Sequence, residues 1–185
     1  MAKTLFISEE YLKTNSSIPL NLDNQYLRSF IIKAQEINIQ KVLGSDLYND
    51  IVSGVNNSDL TAAETTLLQD YIQSCLVEWA TYTAFPHIHI RVMNIGIVKK
   101  DSDISDPIDL DELKFMRKQI LEMAEFYSER MKDYLRENKN SFPNYLNPSD
   151  NLDTIKPDKS SQYTTGMYLP SLNTPDSDLD DDCCK

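Results

Sequence analysis

The sequence predicts an all-α fold: a compact bundle of about four helices, with a polar loop or hairpin and extended N- and C-terminal arms. Three observations predict it. The stretch AQEINIQKVLGSDLYNDIV, residues 34–52, reads as two helices meeting at a single glycine. Apolar residues recur at spacings of three and four in the other long segments. Glycine occurs only four times in 185 residues, which disfavours glycine-rich phosphate loops and turn-rich β architectures.

Residues 1–20 read as an N-terminal arm. Thr4 to Ile7 suit a short extended piece, and Ser8 can cap a brief helix whose positive end Glu9 and Glu10 favour. Asn15, Ser16, Ser17 and Pro19 then break it. The helical domain spans residues 21–146. Its first long helix begins near Asp23 and places Leu27, Phe30, Ile31, Ala34 and Ile37 on one face. Gly44 ends it, because glycine enters the left-handed region at little cost. Ser45 can cap a short second helix, about 45–53, with Leu47, Tyr48, Ile51 and Val52 on its buried side. Gly54, Asn56, Asn57 and Ser58 form the next turn.

Thr61 and Glu64 have capping-box spacing. Leu68, Ile72, Cys75, Trp79 and Tyr82 then step by four and three, which marks the central helix. Pro86 should end or kink it. Ile88, Ile90, Val92 and Ile95 alternate with polar residues and suit a strand; a continued, kinked helix is the competing reading. Residues 96–109 form a polar loop or loose hairpin. Asp109 or Asp111 can open the last long helix, with Leu113, Met116, Ile120, Met123, Tyr127 and Tyr134 as its stripe and Arg130 interrupting it. Lys132, Arg136 and Lys139 suit its negative end, and Pro143 stops it.

Residues 147–185 form an acidic, extended C-terminal arm. They hold four prolines, close on DSDLDDDCCK, and cannot bury enough apolar area to fold alone. Tyr163, Met167, Tyr168, Leu169 and Leu172 nevertheless make one apolar cluster within them. That order of polar linker, apolar anchor and acidic end is the pattern of a docking strap, and these five residues are candidate partner contacts.

The formal net charge of −11 argues against direct nucleic-acid binding by the chain as a whole. Lys99 and Lys100 are the one small basic candidate for a partner contact, set against ordinary solvation of a loop. No run approaches the ~18 apolar residues of a membrane span, and the N-terminus lacks the apolar region of a secretory signal. A reducing, cytosolic compartment is expected. Cys75 falls in a helical pattern and packs as a small apolar residue, while adjacent Cys183 and Cys184 offer no disulfide framework.

Candidate chemistry is sparse. His87 and His89 would share one face of a strand and can then ligate a metal; on a helix they point apart. Asp101, Asp103 and Asp106 with Glu112 resemble a calcium loop, but the glycine required at the sixth position is Asp106. Glu122, Glu125 and Glu129 lie on one side of the last helix and read as a solvated face. No nucleophile elbow, P-loop or dinucleotide fingerprint occurs. The expectation is a non-enzymatic protein with no catalytic, cofactor-binding or metal-binding residues.

Four pieces of sequence resemble one known family: FIS-EEYLK, SSIPLNLD, AQEINIQKVLGSDLYNDI and FYSERMKDYLRENKNSFPNYL. They are similar to head–tail connector proteins of tailed bacteriophages, most of all those of crAss-like phages, over about residues 4–146. The resemblance implies a small helical adaptor in the virion neck, assembled in the host cytoplasm. Such adaptors form a ring, typically of twelve copies, that docks on the portal protein. They meet further neck or tail proteins and line the channel through which genomic DNA passes without sequence-specific contacts. The family carries no catalytic residues to transfer. The resemblance does not reach residues 147–185.

Overall fold

The computed structural model describes residues 3–93, 96–99, 110–149 and 154–159, and these are mainly helical, as the apolar spacing predicts. The order is α1 (Glu9–Asn15), α2 (Asn24–Ala34), a π turn (Gln35–Ile39), α3 (Gln40–Leu43), α4 (Ser45–Asn57), α5 (Ala62–Thr66), a second π turn (Leu67–Ile72), α6 (Gln73–His89), β1 (Ile90–Met93), β2 (Gly96–Lys99), α7 (Leu110–Glu137), a 3-10 turn (Lys139–Ser141) and α8 (Pro143–Leu146). α6 packs against both α2 and α7. The core gathers Leu12, Leu27, Ile31, Leu43, Ile51, Leu76, Met131, Leu135 and Phe142, all buried.

Caps form where the sequence places them. The Ser8 hydroxyl accepts from the Tyr11 amide at 3.0 Å, and Asp23 accepts from the Gln25 amide at 2.9 Å. Thr61 and Glu64 complete a reciprocal capping box. α4 runs past Gly54 to Asn57, longer than the sequence suggests, and Ser58 ends it in the left-handed conformation. Gly54 sits inside this helix because a Cβ there would fall 2.5 Å from Leu60 Cδ2.

The first π turn changes which residues face inward. It adds one residue to the helical turn, so the inward positions become Gln35 and Ile39. Ile37, expected on the buried face, is 65% exposed. The buried Gln35 amide is fully employed. Its Nε2 donates to the Thr4 carbonyl at 3.0 Å and the Tyr48 hydroxyl at 2.8 Å, and its Oε1 accepts from the Phe6 amide at 3.1 Å. Gln73 donates to the Phe6 carbonyl at 3.0 Å. Phe6, Ile7, Leu12 and Ile18 are thereby held inside the core. The segment expected as an extended N-terminal arm is instead, from residue 3 onward, a wall of the domain.

Pro86 does not end α6, which continues to His89. A single missing donor near the C-terminal end costs one backbone hydrogen bond, and packing against α2 and α7 holds the helix. The chain then turns into β1, which pairs antiparallel with β2 from Ile90 opposite Lys99 to Met93 opposite Gly96. The two readings of this region each hold for part of it.

Candidate functional site

The bend at Gly44 is built to receive another piece of chain. Its φ of +77° and ψ of 161° belong to glycine. Residues 154–159 cross it, with Pro157 Cδ 2.8 Å from where a Gly44 Cβ would stand. The strap satisfies backbone groups that two helix ends leave orphaned. The Ser45 amide, at the start of α4, donates to the Ile155 carbonyl at 2.9 Å. The Asp158 amide donates to the Lys41 carbonyl, at the end of α3, at 3.0 Å. Ser45 does not cap α4 with its side chain; its hydroxyl accepts from the Ile155 amide at 2.9 Å and from Gln40 Nε2 at 3.1 Å. Just upstream, the Ser149 hydroxyl donates to Asp46 Oδ1 at 3.0 Å.

The strap also ties the bend to α7. Lys132, 4% exposed, donates to Glu129 at 2.9 Å and Asp158 at 3.2 Å. Burial pushes its ammonium pKa down, but the hydrogen bonds and charges of Glu129 and Asp158 outweigh that, leaving it raised above 10.5. Arg136 donates to the Lys159 carbonyl at 3.1 Å, and Lys159 donates to the Leu146 carbonyl at 3.2 Å. Beside this clasp lies a cleft of about 220 Å³ bounded by Asn38, Lys41, Trp79, Glu125, Lys132 and Asp158.

The neighbouring thiol is not a nucleophile. Burial pushes Cys75 up to about 12, although hydrogen bonding with Ser128 and Trp79 opposes the shift. Ser128 receives the Trp79 indole N–H at 2.9 Å, lies 3.4 Å from Cys75 Sγ, and donates to the Ala124 carbonyl at 2.8 Å. This polar group is closed on itself and holds α6 to α7.

The second feature, among the described residues, is an exposed apolar face. α7 buries Ala124, Ser128, Met131, Lys132 and Leu135, a stripe rotated from the one the sequence suggests. Met116 and Met123, expected inside, are 41% and 51% exposed, and Phe115 and Phe126 beside them are 63% and 61% exposed.

The other candidate positions divide as follows. His87 and His89 both belong to α6 rather than to a strand, so the shared strand face does not form; the His87 ring lies 5.1 Å from that of Phe30. Glu122 and Glu129 pair along the helix with Lys118 at 3.9 Å and Lys132 at 2.9 Å. Among the described residues no His, Cys, Asp or Glu group has the arrangement of a metal site. Lys99 ends β2. Lys100, Asp101, Asp103, Asp106, Tyr163, Met167, Tyr168, Leu169 and Leu172 lie outside the described residues. The strap at 154–159 was missed because one isoleucine and one proline in a polar run carry no periodic signal.

Among the described residues, no helix is long and apolar enough to cross a membrane. No curated protein and no solved structure matches the chain. One family pattern does match, over residues 39–155, from the first π turn through the Gly44 bend to the strap residue Ile155. The chain belongs to that family, a family of unknown function designated DUF6712.

Proposed function

We propose that this chain is a non-enzymatic structural subunit of a phage head–tail connector, a domain of about four principal helices with a C-terminal arm that assembles into a ring of twelve copies. The observation that carries the reading is the apolar face of α7, where Phe115, Met116, Met123 and Phe126 stand open in a single copy. Exposed apolar patches of this kind mark association surfaces, and a ring gives each subunit two heterologous neighbours. The four sequence segments that resemble connector proteins support the same reading.

In this reading the loop 96–109, with Lys99 and Lys100, meets the portal protein or a second neck protein. Tyr163, Met167, Tyr168, Leu169 and Leu172 reach a neighbouring subunit in the assembled ring. The net charge of −11 makes a channel lining along which genomic DNA slides without sticking. The protein works in the virion neck after assembly in the host cytoplasm, with no cofactor and no membrane partner.

Electron microscopy of the purified protein, alone and with portal protein, tests this. Rings of cyclic symmetry that stack on the portal are expected. A monomer at every concentration that never joins portal overturns the reading and favours a soluble helical regulatory or binding module with an acidic tail.

A further inference from the structure

We infer that the cleft beside the clasp takes an arginine side chain from a protein partner, its guanidinium set between the Trp79 ring and the carboxylates of Glu125 and Glu129. Four parts of the fold build this cleft. The first π turn supplies Asn38, α6 supplies Trp79, α7 supplies Glu125 and Glu129, and the strap supplies Asp158. Its volume of about 220 Å³ falls below the roughly 300–1,000 Å³ of pockets that hold whole small molecules. It suits one side chain. Its charge selects a cation. The carboxylates of Glu125, Glu129 and Asp158 outnumber the ammonium groups of Lys41 and Lys132 around it. Lys132 is held by Glu129 at 2.9 Å and Asp158 at 3.2 Å. Lys41 is exposed, where water and salt screen it. Glu125 lies one turn before Glu129 and has no hydrogen bond or ion pair among the described residues. An ionised carboxylate has roughly four acceptor sites, so Glu129, which accepts one hydrogen bond from Lys132, has room for another donor.

The aromatic wall points to the same ligand independently. The chain lays the Arg117 guanidinium over Tyr82 at 4.5 Å and that of Arg130 over Tyr71 at 5.0 Å. These two rings lie on either side of Trp79 along the same helical run. Tryptophan is the strongest cation acceptor among aromatic side chains, yet among the described residues no cation stands over Trp79. Its indole N–H is already given to Ser128 at 2.9 Å, so the ring itself is what Trp79 offers a ligand. Arginine fits better than lysine, because a planar guanidinium stacks on an aromatic ring while its fork of N–H donors reaches carboxylates. The formal charge of −11 steers this surface toward a basic partner. The inference stands apart from the ring reading, since a cleft within one subunit binds the side chain whether or not copies associate.

Trp79 is the only tryptophan in the chain, so its indole N–H gives one NMR signal that reports on the cleft. The full-length protein is titrated at constant ionic strength with a capped Gly-Arg-Gly peptide. The signal should shift saturably, half-complete at about 1–10 mM, as a single side chain allows. A capped Gly-Ala-Gly peptide should leave it in place. Glu125→Gln, at an exposed position, should weaken binding about fivefold or more. Glu137→Gln, at the exposed far end of the same helix, should leave binding unchanged. The absence of a saturable shift, or an equal shift with the alanine peptide, overturns the proposal. So does affinity that Glu125→Gln leaves intact, or that both variants weaken alike. Saturable binding of spermidine with none of the arginine peptide overturns it as well, because the cleft would then take a free polyamine and no partner side chain.

Discussion

From Ala124 onward α7 sends Ala124, Ser128, Met131 and Leu135 into the core, whereas none of residues 111–123 of the same helix is fully buried. The C-terminal half buries Met131 and Leu135 completely and is clasped by the strap at Lys132 and Arg136. The N-terminal half keeps its apolar residues, but among the described residues Leu113, Ile120 and Leu121 are only half-buried and Phe115, Met116 and Met123 are exposed. Apolar content is therefore not what separates the two halves; the supply of neighbours is. One half is finished by this chain's described residues, and the other is left for something further to complete.

The largest contrast should appear in paired truncations. Leu135→Ala removes a fully buried side chain and should cost about 3 kcal/mol in urea denaturation. Met123→Ala, half exposed on the same helix, should cost less than about 1 kcal/mol. Comparable losses at the two positions would erase the distinction between the halves.

Gly44→Ala probes the clasp from the other side. The alanine would have to adopt a conformation reserved for glycine, costing about 1–3 kcal/mol. Its Cβ would also stand 2.8 Å from Pro157 Cδ and 3.0 Å from Pro157 N. A total loss of roughly 3 kcal/mol is expected, together with faster tryptic cleavage after Lys159 as the strap lifts. Destabilisation with unchanged cleavage would separate the bend from the strap.

Much of the finished half was legible in the sequence, because caps and glycine bends are local. Ser8, Asp23, the Thr61–Glu64 pair and Gly44 each announce a helix boundary within a few residues. The π turns were not legible, since one extra residue in a helix leaves no mark in composition, and Ile37 was misplaced as a result. Lys132 read as a partner for the helix dipole, yet it is buried between Glu129 and Asp158, and Asp158 comes from a segment with no periodic pattern. The α7 stripe holds at Tyr127 and Tyr134, which pack against the core, and fails at Met116 and Met123, which are exposed. Spacing identifies an apolar face without saying whether the same chain covers it, and the candidate contacts Lys100 and residues 163–172 fall where the structure describes nothing.

Lys132→Met should cost about 2 kcal/mol. Removing one member of a buried pair costs ~3–5 kcal/mol when the other is sealed in, but Glu129 and Asp158 retain 34% and 23% side-chain exposure and can be rehydrated. The pH dependence has a definite sign. Since the folded ammonium is held above the ordinary value of 10.5, its contribution is complete at neutral pH and is lost as pH rises past 10.5 through the folded value. The stability difference between wild type and Lys132→Met should therefore narrow as pH rises above 10.5, measured by denaturant melts across the alkaline range.

The smallest effect should have the opposite sign. Tyr145 is buried beneath Lys159, whose ammonium lies 5.1 Å from the ring centre, and its hydroxyl has no hydrogen-bond partner among the described residues. A buried hydroxyl without a partner keeps its desolvation cost and gains nothing in return. Burial accordingly raises the Tyr145 pKa, although nearby Arg136 and Lys132 pull it down. Tyr145→Phe keeps the ring and its packing and removes only the stranded oxygen, so it should be neutral or stabilising by up to about 1 kcal/mol. A loss above that size, read from the urea midpoint at constant slope, would mean the hydroxyl is bonded in solution. The clasped end of α7 would then depend on a polar contact, and its order would come from more than apolar burial and the strap.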